Sequence, residues 1–142
     1  MTSLLGNMPL GDLGPEVEDL VHDILCTHFS GVGLFDGGWT VEDGGDGVLV
    51  WVERTGHATW VALEAPAFSG LRQADRLLAV IQDRTGRSAV DGGITLHLAG
   101  DGTFSVSLAE SVTAHPLDPA AVVAAVARLL EDVHTVKALA AA

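Results

Sequence analysis

The sequence predicts an α+β domain ordered α-β-β-β-α-β-β-α, with a five-stranded, mainly antiparallel sheet packed against three helices. Three observations carry this prediction. Apolar residues recur at helical spacing in three separate stretches. Between those stretches lie short β-branched and aromatic runs bounded by glycine-rich turns. At 142 residues and 48% hydrophobic content, the chain can bury a core without staples.

Residues 1–14 read as a flexible tail, since Gly6, Pro9, Gly11 and Gly14 break every pattern. A single domain is expected over 15–142. Pro15 suits a first helical position, Glu16, Glu18 and Asp19 suit the positive helix end, and Val17, Leu20, Val21, Ile24 and Leu25 form one stripe. Ser30-Gly31 ends that helix. Strands follow at Trp39–Val41, Val48–Glu53 and Ala58–Glu64, joined by turns at Asp43–Gly47 and Arg54–Gly56 and closed by Pro66. Val48, Val50 and Val52 alternate with Leu49 and Trp51, so both faces of that strand are apolar and cover on each side is expected. Ser69 is placed to cap a second helix that carries Leu71, Ala74, Leu77, Leu78 and Ile81 and stops at Gly86. A hairpin of Ile94–Leu98 and Phe104–Leu108 turns at Gly100-Asp101-Gly102. Asp118-Pro119 opens the last helix, which is apolar nearly all round from Ala120 to Leu130 and therefore needs cover on more than one side.

Composition excludes several function classes. Nineteen acids against seven bases give a net charge of −12, which opposes nucleic-acid backbones and anionic lipid. Cys26 stands alone, so neither an intrachain disulfide nor a multi-cysteine metal cluster is available. Met1-Thr2-Ser3-Leu4-Leu5-Gly6 lacks the basic start and long apolar run of a signal peptide, and no apolar run approaches the ~20 residues of a membrane span. A cytoplasmic location is expected.

Chemical motifs are sparse. Gly31-Val32-Gly33 follows a helix and lacks the third glycine of a dinucleotide fingerprint. Asp43-Gly44-Gly45-Asp46-Gly47 lacks the alternate acids of a calcium loop and reads as a turn. His22 and Cys26 share a helix face at a spacing zinc accepts, with His28 elsewhere on the helix, and Glu131 and His134 form half of a di-metal pattern. Neither set closes a site. Ser69, Ser105, Ser107 and Ser111 have no evident base. No cofactor and no catalytic residue are expected.

Protein contact is a better-supported role. Arg72, Arg76, Arg84 and Arg87 hold four of the seven positive charges. Arg72 and Arg76 are one turn apart, and the four read either as a solvated helix face or as a cationic patch suited to a carboxylate-bearing partner or an internal ion pair. Trp39, Trp51 and Trp60 all fall in the meander, where an exposed indole is a hot-spot candidate and a buried one is core. Val122, Val126, Leu129 and Val133 on the last helix offer more apolar surface than one sheet face needs. These nine residues (three tryptophans, Arg72, Arg76 and the four of the last helix) are the candidate partner-binding set.

The element order from Pro15 to Lys137, the 14.7 kDa mass and the acidity resemble the class I type III secretion chaperones and the related YbjN-like proteins. That resemblance implies a homodimer holding a partner polypeptide without ATP or metal. The hairpin Ile94-Thr95-Leu96-His97-Leu98, Asp101-Gly102-Thr103-Phe104 resembles the YezG-type immunity proteins, whose partners are toxins. Ser105-Val106-Ser107-Leu108 departs from their aromatic, acid-rich end. The expectation is a non-enzymatic protein-binding module, chaperone-like or adaptor-like and homodimeric, whose partner is a secreted client. An immunity protein is the alternative. A small enzyme or ligand-binding domain using Cys26, His22 and Glu131 is the third class.

Overall fold

The computed structural model describes residues 13–141. In chain order they form α1 (Leu13–His28), β1 (Val32–Phe35), β2 (Gly38–Asp43), β3 (Asp46–Arg54), β4 (Thr59–Leu71), α2 (Asp75–Thr85), β5 (Ile94–Leu98), β6 (Phe104–Thr113) and α3 (Pro119–Ala141). The expected tail lies outside the described residues except for Leu13 and Gly14, which belong to α1.

Six strands, rather than five, form one sheet in the order β1-β2-β3-β4-β6-β5, and every pairing is antiparallel. The added strand is β1. Its turn is Asp36-Gly37, between the paired residues Phe35 and Gly38, with Gly37 at φ 97°. A two-residue hairpin turn needs this left-handed backbone, and Asp-Gly supplies it. Gly38 answers a different need. A Cβ there would stand 2.2 Å from Val50 O, so any side chain would collide with the neighbouring strand.

β4 continues to Leu71 instead of ending at Pro66. Proline has no N–H for the ladder and survives in sheets at edges and bulges. The register slips between Pro66 and Phe68, after which β4 resumes against β6. Ser69 therefore lies inside a strand and caps no helix. α2 begins at Asp75 behind Ala74, which makes no side-chain cap bond. Arg72 falls between β4 and α2, so it shares no helix face with Arg76. β6 likewise extends past Leu108 because β4 supplies it a partner as far as Thr113. Other signals hold as expected. Asp118 Oδ1 accepts from Ala120 N at 3.0 Å, and Gly86 ends α2 at φ 76° with its N–H on Gln82 O.

Cross-strand partners share a face, and Trp39, Val50 and Leu63 line up on one side, with Val41, Val48, Ala65 and Leu108 nearby. α3 crosses this face over β3, β4 and β6, and both α1 and α2 pack on α3. Sheet below and a helix on each flank explain why α3 is apolar nearly all round. Val122, Val126, Leu129 and Val133 are each 0% exposed. The expectation that they face a partner is corrected: they are core of the chain itself. β3, by contrast, is covered on one side only among the described residues. Among the described residues no helix lies against the opposite face of the sheet.

Candidate functional site

Strand alternation sends a second set of side chains to that uncovered face. Register assembles them into rows. Gly38, Trp51, Ala62 and Ser111 make one row, and Thr40, Leu49, Glu64 and Ala109 the next. On the other side of Trp51, Glu53 stands opposite Trp60. Trp51, Trp60 and Leu49 are half-buried, while the small residues around them leave their sides open. Trp51 Nε1 donates to Glu53 Oε1 at 2.9 Å, which fixes one edge of the indole. Trp51 and Trp60 thus share a face as diagonal neighbours, not as a directly opposed pair.

Of these, Trp51, Trp60, Ala62, Glu64, Ala109 and Ser111 line a groove of ≈ 580 Å³, with Arg87 and Glu110 also in its wall and Thr85, Gly86, Asp91, Gly92, Gly93 and Thr95 at its rim. The rim exists because β5 reaches only Ile94, opposite Leu108. Beyond that point the segment after α2 closes the edge of β6. Gly93 O accepts from Ala109 N at 2.9 Å, and Arg87 Nη1 donates to Ala109 O at 3.0 Å. Asp91 Oδ1 accepts from Gly93 N at 2.8 Å and from Ser88 N at 3.3 Å. The Gly93 and Ser88 N–H groups hold the Asp91 carboxyl below its ordinary value, so a fixed negative charge sits on the rim.

Arg87 anchors the rim from beneath. Its side chain is 9% exposed and bonds Glu110 Oε2 at 2.6 Å and Asp132 Oδ2 at 2.8 Å. Arg128 adds a second contact to Glu110 at 2.6 Å. Burial pushes the Glu110 carboxyl up, but the bonds and charges of Arg128 and Arg87 outweigh it and the net direction is down. Of the two roles expected for the arginine group, Arg87 has the internal ion pair. Arg72 and Arg76 are exposed and form no ion pair among the described residues.

The remaining candidates are placed elsewhere. Trp39 is 7% exposed and donates through Nε1 to His22 Nδ1 at 3.1 Å. It is a core residue on the helix side. That bond puts the proton of neutral His22 on Nε2, 3.7 Å from Cys26 Sγ. His28 lines a separate cavity of ≈ 520 Å³ with Glu42, Glu131 and His134. Outside that cavity His134 Nε2 contacts Asp46 Oδ2 at 2.9 Å, and Asp46 also bonds Lys137. His134 thus ties α3 to the β2–β3 turn. Among the described residues no group of three or more His, Cys, Asp or Glu side chains could hold a metal ion.

Of the nine candidate residues, the fold brings Trp51 and Trp60 together in an open groove, leaves Arg72 and Arg76 outside it, and buries the other five. Sequence reading missed Glu53, Glu64 and Asp91. The available signal was the alternation Trp51-Val52-Glu53, which puts an acid on the indole's face. Compared with known proteins, the chain matches no family model and no curated sequence.

Proposed function

We propose that the chain is a non-enzymatic protein-binding module of the chaperone or adaptor kind, which seats a partner polypeptide on the uncovered face of its sheet. The observation that carries this reading is the Trp51–Trp60 groove. Two half-buried indoles meet solvent there, on a sheet face against which no helix of the described residues lies, whereas the opposite face is closed by the helices. Co-purification from the native host tests it. A partner retained by the wild type and lost by a Trp51→Ala/Trp60→Ala variant of unchanged circular dichroism supports the reading. A partner retained equally by both overturns it. The immunity reading is favoured by the −12 charge, and a toxin domain as the retained partner would select it.

The proposal includes a second copy. Gly93 O and Ala99 N bond toward β6, so by strand alternation Leu96 and Leu98 turn their N–H and C=O outward. Ile94 N–H is already taken by Ser88 O. The free stretch centres on His97, and antiparallel pairing about a twofold axis there sets Leu96 against Leu98 of the second copy. β5 carries none of the Lys, Pro or acidic residues that blunt an edge, and Leu98 is 71% exposed. Sedimentation should give a dimer that Leu98→Lys converts to monomer. A monomeric wild type would remove this part of the proposal.

A further inference from the structure

Building on the protein-binding reading, we infer that the occupant of the open groove is a basic polypeptide segment whose lysine or arginine side chain lies over Trp51 and Trp60. The reason is charge complementarity at short range. Glu53 sits opposite Trp60 in the ladder and bonds Trp51 Nε1 at 2.9 Å, so one carboxylate serves both indoles. Glu64 borders Trp51 in the adjacent row, and Asp91 holds a fixed negative charge at the rim. The bases nearby are engaged. Arg87 is bonded to Glu110, Asp132 and Ala109 O, and His97 Nε2 lies 3.1 Å from Glu64 Oε2. An aromatic face flanked by carboxylates attracts a cation through the ring quadrupole and the acids together. An acidic or phosphate-bearing ligand would face the same carboxylates, and the one arginine in the lining, Arg87, is already held by Glu110 and Asp132.

The test titrates the full chain with a synthetic peptide of alternating Lys-Gly-Arg-Ser at physiological salt, followed by calorimetry and tryptophan emission. The same peptide with Gln at every basic position is the control. We expect the basic peptide to bind, and the Gln peptide to bind at least about tenfold more weakly. Trp60→Ala, which leaves the net charge unchanged, should weaken the basic peptide by about tenfold. Glu53→Gln changes an exposed residue without touching the core, and should also weaken it. Undiminished binding to Trp60→Ala would mean diffuse attraction to an acidic surface and would overturn the inference. Equal affinity for the Gln peptide would overturn it too, while leaving the protein-binding reading intact. The broader reading fails separately, when native partner retention is indifferent to Trp51 and Trp60.

Discussion

Arg87 shows how much one side chain organises here. It joins the segment after α2 to β6 and α3, and nearly all of it is inside. Replacing it by Met leaves Asp132 unpaired and Glu110 with Arg128 alone. Removing one partner of a buried pair typically costs about 3–5 kcal/mol. Urea denaturation should show a loss of that order, against less than about 1 kcal/mol for Arg84→Met, whose pair with Asp83 is exposed. Glu110 gives a pH prediction with a definite sign. Its folded-state pKa is lowered from 4.5, so its contribution is present above that value and is lost as pH falls through the lower folded value. The stability difference between wild type and Glu110→Gln should therefore shrink on acidification below pH 4.5. A difference that stays constant from pH 7 to pH 3 would contradict the assignment.

Among elements, β1 and β4 carry the instructive differences. β1 is short and interrupted by Gly33, so composition hid it, although Asp36-Gly37 is a strong hairpin signal. Gly38→Ala tests why that hairpin packs as it does. Its Cβ would meet backbone, Val50 O, with no flexible atom to give way. A loss of about 1–3 kcal/mol is expected in thermal or urea unfolding. β4 reads as two pieces because Pro66 looks like a terminator. Only pairing with β6 across a bulge carries the strand onward. The Asp118 and Gly86 helix ends were legible, since caps are local, but the Ser69 cap was not, because pairing with β6 keeps Ser69 in β4. Asp118→Ala should cost α3 about 1 kcal/mol in the same assay.

For the whole molecule, one asymmetry supports the proposed role. Among the described residues the three helices lie on one face of the sheet, and the other face carries Trp51, Trp60, Leu49 and Phe35 among small residues and acids. α3 illustrates the consequence. Leu129 is 0% exposed, and Leu129→Ala should cost about 2–5 kcal/mol of stability, far more than a docking residue would. The same substitution should leave peptide binding at the groove unchanged in the folded fraction.

By itself the sequence determined what depends on neighbours along the chain. The fold class, most of each helix stripe (Leu71 and Ala74 lie outside α2, and Leu20 is exposed), the Asp118 and Gly86 helix ends, the Gly44-Gly45 turn and the Gly100–Gly102 turn follow from local spacing and backbone preference. Only tertiary structure decided which apolar surface is core and which is site. Val122, Val126, Leu129 and Val133 are as apolar as any docking stripe, and Trp39, Trp51 and Trp60 are chemically identical. Burial is set by contacts between residues distant in sequence, and the pairing of strands puts Trp39 under α1 and brings Trp51 and Trp60 together in the open.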